Sequence, residues 1–256
     1  MSPLDLQAAA RVAEAAADRA RRETLPRFRS VAVETKSDGS PVTEADRAAE
    51  RAIRECLREA FPDFAILGEE FGEEGPADGP RWLVDPIDGT IAFSRGVPLF
   101  TTLIALLDES GEPVLGLIDC PTLDERYVGW QGGGCRRNGV PTHVSEESDL
   151  RKAIVAHGDP YCFELFGESR AFERMAREIP MLRGYTDAFG HAQVVGGGVD
   201  AMVDLFLNPW DLAPTRILIR EAGGVCQTLP ERDGKLGAVF GSPALVEQLV
   251  GFLASR

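Results

Sequence analysis

Three histidines and five cysteines are a thin supply of soft ligands for a chain of 256 residues. His143, His157 and His191 fall at no metal-type spacing. The cysteines, at 56, 120, 135, 162 and 226, include no C-x-x-C pair. The usual zinc signatures are therefore missing. An odd, unpaired set also argues against a disulfide framework and reads as reduced thiols of a cytoplasmic protein, several of them core filler. Positive charge is short as well. Lysine and arginine number 27 against 41 acidic residues, a formal charge of −14, and the isoelectric point is near 4.7. That balance argues against nucleic acid and against an anionic membrane surface as partners. No window approaches the roughly 18 uncharged apolar residues of a membrane span. The N-terminal stretch MSPLDLQAAARVAEAAADRARRETLP is broken by Asp5, Glu14 and Asp18, so it lacks the continuous apolar segment of a signal peptide. Repeats and low-complexity linkers are also missing.

What is present suits a globular protein. Hydrophobic residues make up 44% and charged residues 27%, enough for a large core in one domain or two closely packed halves. Residues 4–24 read as an Ala-rich helix. Residues 44–60 have apolar residues at 45, 48, 49, 52, 53, 56, 57 and 60, which is helical spacing, with Thr43 as cap and Asp46 at the third helical position. KSDGSP (36–41) is a turn-rich loop, and GEEFGEEGPADGP (68–80) an acidic one. Strands are expected at 64–68, 81–85, 99–107, 114–120, 126–131, 153–158, 201–207, 224–229 and 236–241. Helices are expected at 161–179, 210–223 and 243–254. This interleaving predicts a layered α/β architecture. A single compact unit over 1–256 is expected, with a soft internal boundary near 141–152.

The stretch WLVDPIDGT (82–90) runs an apolar strand into two carboxylates, a glycine and a hydroxyl. Gly89 permits a tight turn or a close backbone approach. If Thr90 opens a helix, its N–H groups can face an anion while Asp85 and Asp88 hold cations beside it. The ordinary alternative is a strand–turn–helix with Asp88 as a cap. A dehalogenase-type D-x-D-x-T run does not fit, because Pro86 stands two before Asp88. Glu69 and Glu70 follow the strand at 64–68, and Asp211 opens the helix of NPWDLAP (208–214). Singly they pass for loop charges and a capping acid. Together, Glu69, Asp85, Asp88 and Asp211 form a hard-oxygen set that suits Mg²⁺, with Mn²⁺ second. An acidic protein that handles a phosphate ester needs such cations.

In these pieces the chain resembles the inositol monophosphatase family of Mg²⁺-dependent phosphomonoesterases. SPVTEAD (40–46), ILGEE (66–70), WLVDPIDGT, NPWDLAP and EAGG (221–224) occur in the family's order, and the likeness spans roughly 5–253. The resemblance implies an αβαβα sandwich of the sugar-phosphatase type and hydrolysis of a small phosphomonoester by metal-activated water. It implies that Glu69, Asp85 and the Ile87 carbonyl bind one ion, and that Asp85, Asp88 and Asp211 bind a second. A third, weaker ion would lie near Glu69 and Glu70. Gly89 and Thr90 N–H groups would receive the phosphate. The Thr90 hydroxyl would pair with Asp46 to position or deprotonate the attacking water, Lys36 would add charge near the metals, and Glu70 would act through water. Homodimers are common in the family.

The family's substrates include inositol phosphates, sugar bisphosphates, phosphonucleotides and histidinol phosphate. RGYTDAFGH (183–191), RGVPLF (95–100) and the NPWD ending resemble the histidinol-phosphatase branch. Arg183, Asp187 and Asp204 would then bind substrate, with Asp187 facing the cationic amine. Asp204 stands where the inositol enzymes often have Glu. Ala188 and Phe189 depart from the branch pattern, and Asp187 could equally be a helix cap before AFGHAQVV. The expected function is Mg²⁺-dependent hydrolysis of L-histidinol phosphate in histidine biosynthesis. An inositol or other polyol monophosphatase is the same-class alternative. A non-catalytic metal-binding regulator on this fold is the alternative of another class.

Overall fold

A computed structural model describes residues 4–36, 39 and 41–254. Ser37, Asp38 and Ser40 of the KSDGSP loop lie outside the described residues. A short antiparallel hairpin joins β1 (Val33–Thr35) to β2 (Pro41–Thr43). An eight-stranded sheet follows, made of β3 (Ala65–Gly68), β4 (Gly72–Glu74), β5 (Arg81–Asp88), β6 (Thr101–Leu107), β7 (Pro113–Cys120), β8 (Glu125–Trp130), β9 (Gly134–Arg137) and β10 (Val140–Pro141). Their spatial order is β10-β9-β8-β7-β6-β5-β3-β4. A five-stranded sheet is ordered β12-β11-β13-β15-β14, from β11 (Ile154–His157), β12 (Met181–Arg183), β13 (Ala201–Leu207), β14 (Val225–Thr228) and β15 (Leu236–Gly241).

Helices fill the spaces on and between these sheets. α1 (Leu6–Thr24) buries Ala9, Ala13, Ala16, Ala17 and Ala20, a stripe at helical spacing with side chains small enough for close packing. α2 (Glu44–Ala60) adds Ala49, Ile53 and Leu57, and both helices share a core with Trp82, Val84, Ile104, Leu115 and Leu117 on one face of the large sheet. α6 (Asp187–Val195) and α7 (Pro209–Glu221) lie between the two sheets. Ala192, Val195, Leu212 and Leu218 meet Leu103 and Ile118 on one side and Met202 and Phe240 on the other. α4 (Pro160–Leu165), α5 (Ser169–Glu178) and α8 (Pro243–Ala254) cover the outer face, where Phe163, Met175 and Leu245 pack on Val155, Val203 and Val239. The order of layers is α, β, α, β, α, the expected sandwich. A five-residue helix, α3 (Thr90–Ser94), follows β5.

Several local expectations need correction. The helix expected at 161–179 is two, broken at Gly167, which takes φ +75. The acidic loop at 68–80 contains β4, paired with β3. The helix left open before AFGHAQVV is present as α6 at 187–195, with Thr186 rather than Asp187 at the cap position. All five cysteines are unpaired thiols, and Cys56, Cys120 and Cys135 are buried. No helix among the described residues is long and apolar enough to cross a membrane.

Candidate active site

β5 carries two carboxylates to the end of the large sheet. In a regular strand, side chains alternate between faces, so Asp85 and Asp88, three apart, would point oppositely. The register shows otherwise. Asp85 pairs with Leu103 and Asp88 with Thr101, so three steps on β5 match two on β6. The extra residue makes a β-bulge, and Pro86, which has no N–H to give the ladder, falls inside it. Leu83 already packs against Ala213 of α7, and Asp85 shares its face. The bulge brings Asp88 to the same side. There, carboxylate oxygens of Asp85, Asp88 and Asp211 lie within 4.8 Å of one another.

Each carboxylate accepts a backbone N–H, from its own turn for Asp85 and Asp211 and from the start of α6 for Asp88. Asp85 accepts from the Ile87 N–H at 3.0 Å. Asp88 accepts from the Ala188 N–H at 2.6 Å and the Thr101 hydroxyl at 3.2 Å. Asp211 accepts from the Asn208 N–H at 2.7 Å in a capping box, so the capping alternative for Asp211 is also realised. Asp88 itself is not a cap: Gly89, at φ +84, is the residue that precedes α3. Lys36 reaches both acids of the GEE turn, Glu69 at 2.9 Å and Glu70 at 2.7 Å.

Asp46 divides its two oxygens. Oδ2 accepts from the Thr43 N–H at 2.8 Å, completing the expected capping box, and Oδ1 receives the Thr90 hydroxyl at 3.2 Å. The same hydroxyl lies 3.0 Å from the Ile87 carbonyl. Cap and site residue are thus compatible readings of one side chain.

Asp187 is the first residue of α6 and adopts φ +58, a conformation uncommon outside glycine and best tolerated by Asn and Asp. Thr186, not Asp187, occupies the cap position. The Asp187 carboxylate lies against Gly89: a Cβ there would stand 3.2 Å from its Oδ2. Behind it, buried Asp204 meets His191 Nε2 at 2.9 Å, and His191 Nδ1 lies 2.8 Å from the Thr215 hydroxyl. A cavity of about 160 Å³ is lined by Asp88, Asp187, Asp204 and Asp211 together with Asp159 and Cys162. Arg183 is not brought there. It is exposed at the end of edge strand β12 and donates to the carbonyl of its neighbour Leu182.

Sequence reasoning missed Asp159 and Cys162. Asp159 caps α4 through the Tyr161 N–H at 2.8 Å, and nothing local distinguishes it from any other cap. It also missed Glu50 and Arg54, buried polar positions within the helical pattern of α2.

Crowded carboxylates resist ionisation. Burial, then the charges of Glu69, Asp88 and Asp211, raise Asp85 well above the usual carboxylate range. Burial, then Asp187 and Asp211, do the same to Asp88. Burial pushes Asp211 up to about 7 against the Asn208 hydrogen bond, and Glu70 to about 7 against the Lys36 hydrogen bond. Burial, with Asp204 beside it, takes Asp187 to about 6. Three hard oxygen donors that repel one another at neutral pH form a set a divalent cation would satisfy. A stability prediction follows for the metal-free protein. Folded pKa values above the unfolded ones stabilise the fold fully only at low pH, and that contribution is lost as pH rises through 6 to 7. The melting temperature without metal is expected to fall between about pH 4 and pH 7, from the unfolded carboxyl values to the raised folded ones, and excess Mg²⁺ to remove much of the fall. Calorimetry showing a flat profile without metal would contradict this.

Comparison with known proteins gives the family and the fold. The inositol monophosphatase family model matches residues 2–250. Histidinol-phosphatase of Streptomyces coelicolor is 38% identical over 96% of this chain and 97% of its own length. Histidinol-phosphatase of Chlorobaculum parvum is 38% identical over 88% of this chain and 86% of its own. The crystal structure of extragenic suppressor protein suhB from Bartonella henselae superposes with a TM-score of 0.88 at 29% identity, over 97% of this chain and 99% of that one. The chain belongs to the inositol monophosphatase family. It is a phosphoric monoester hydrolase by that membership.

Proposed function

We propose that this enzyme hydrolyses L-histidinol phosphate to L-histidinol and phosphate, with Mg²⁺, as a cytoplasmic step of histidine biosynthesis. The observation that carries the reading is the cavity beside Asp88 and Asp211. Asp159, Asp187 and Asp204 line it, and no described lining residue is lysine or arginine. A polyol offers these carboxylates only hydroxyls. An amino alcohol offers an ammonium, which a partly dry acidic pocket favours. The likeness to two histidinol-phosphatases supports the same choice.

In this reading Asp85, Asp88 and Asp211 would hold one Mg²⁺, Glu69, Asp85 and the Ile87 carbonyl would hold another, and Glu69 and Glu70 would border a third, weaker position. Mg²⁺ held there would supply charge neutralisation, a more acidic water and stabilisation of the leaving alkoxide. Gly89 and Thr90 N–H groups receive the phosphate. Thr90, directed by Asp46 and the Ile87 carbonyl, orients the attacking water and takes part in its proton transfer. Lys36 balances Glu69 and Glu70, fixing their carboxylates while the site fills. Asp187, against Gly89, receives the substrate ammonium, with Asp204 behind it. Arg183 takes no part.

Phosphate release with Mg²⁺ tests the reading, comparing L-histidinol phosphate with inositol 1-phosphate at matched concentrations. A preference of about a hundredfold for histidinol phosphate in kcat/KM is expected, near 2.7 kcal/mol. The reverse preference would keep the phosphatase and remove the amine pocket.

A further inference from the structure

α2 carries a buried ion pair that the helix does not need. Glu50 and Arg54 are one turn apart, both essentially inaccessible, with Arg54 Nε donating to Glu50 Oε1 at 2.7 Å. An i,i+4 pair on a helix surface adds only a few tenths of a kcal/mol, and burying two charges is unfavourable unless further hydrogen bonds compensate. Those further bonds all go to one place. Glu50 Oε2 accepts from the Glu70 N–H at 2.7 Å, and Oε1 accepts from the Phe71 N–H at 3.3 Å. Arg54 donates to the Gly72 carbonyl and, at 3.2 Å, to Glu74. The pair therefore grips successive backbone groups of the β3–β4 turn, the turn that presents Glu69 and Glu70. Gly68 makes room for it: a Cβ at that position would stand 2.1 Å from Glu50 Oε1.

We infer that Glu50 and Arg54 are positioning residues for the cation site, holding the turn so that the Glu69 and Glu70 carboxylates are pre-set before any ion arrives. This rests on reading those two acids as part of a Mg²⁺ site. Neither Glu50 nor Arg54 meets the ester or the ion. Their effect passes through the Glu70 and Phe71 amides.

Two measurements test it. In metal-free wild-type protein, the Glu70 amide is expected to be protected from hydrogen exchange, to nearly the same degree as with saturating Mg²⁺. An amide that becomes protected only on adding Mg²⁺ would overturn the inference, since the ion would then be organising the turn. The second uses Glu50→Gln, and Glu50→Gln with Arg54→Gln in case the single change, which leaves a buried guanidinium uncompensated, does not fold. Mn²⁺ binding, read by electron paramagnetic resonance as a stand-in for Mg²⁺, is expected to weaken about tenfold, with a matching rise in the Mg²⁺ needed for half-maximal activity. KM for the ester at saturating Mg²⁺ should not change. A merely structural pair would lower the melting temperature and leave Mn²⁺ affinity alone, and that result would also overturn the inference. If wild-type protein binds no Mn²⁺, the cation-site reading itself fails and takes this one with it. If wild type and variants bind equally, only the positioning role is lost.

Discussion

Asp88→Asn is expected to lower kcat/KM for phosphate release by about a thousandfold or more, roughly 4 kcal/mol of transition-state stabilisation, while the metal-free protein melts no lower than wild type. The two halves of this result have one cause. Asp88 stands with Asp85 and Asp211 inside 4.8 Å, and burial together with Asp187 and Asp211 already resists its ionisation. Asparagine keeps the shape and keeps an oxygen for the Ala188 N–H, which Asp88 accepts at 2.6 Å. It removes one of the charges that a cation would balance. Without a cation, that charge is a burden to the fold, so its loss relieves repulsion. With a cation, the same loss weakens the group that stabilises charge on the reacting phosphate. Phosphate release over a Mg²⁺ series and calorimetry without metal should be run on the same preparation. Substantial activity in this variant would mean that the carboxylate cluster is not the metal centre. A wild-type protein that binds Mg²⁺ but releases no phosphate from any small monoester would favour a regulator on this fold.

Asp187→Asn is expected to act on substrate choice instead. It should cut kcat/KM for L-histidinol phosphate about a hundredfold, the scale of a charge-assisted hydrogen bond in a partly desolvated site. An ester whose alcohol carries no charge should be hydrolysed nearly as before. The side chain is suited to this experiment because asparagine tolerates the φ of +58 that Asp187 adopts, so the start of α6 need not rearrange. Equal losses on both esters would assign Asp187 to the phosphate side or to the fold and remove it from amine recognition.

Much of this arrangement was legible in the chain because its parts are local. The apolar run before Asp85, the glycine at 89, the cap at Thr43 and the acid at 211 each announce themselves within a few residues. What was not legible is long-range or unpaired with any local signal. Asp46 reads from the chain as a capping acid, and a linear pattern does not reveal that its carboxylate gives one oxygen to the cap and the other to Thr90. Arg183 and Asp187 read as one motif, yet one ends an edge strand and the other starts a helix, so the four-residue spacing does not bring them together. α6 was legible only as the helix that a cap before AFGHAQVV would open, because Gly190 is a poor helix signal. Glu50 and Arg54 sat at polar positions of an amphipathic pattern that marks polar positions as solvent-facing. Only the GEE turn folding over α2 buries them.

The bulge at Pro86 sets a rule about length. Substitutions between Asp85 and Asp88 alter packing by increments, but removing one residue would match two steps on β5 to two on β6 and return the strand to regular pairing. The two aspartates would then be neighbours on one face by simple alternation, with the backbone at Ile87 no longer displaced and the Gly89 turn drawn one residue back toward the sheet. Adding one residue while keeping the one-residue bulge would match four steps on β5 to three on β6 and send Asp88 to the opposite face. The interval is therefore a frame in the reading sense: every ligand can survive an insertion in the sequence and still be lost to the site.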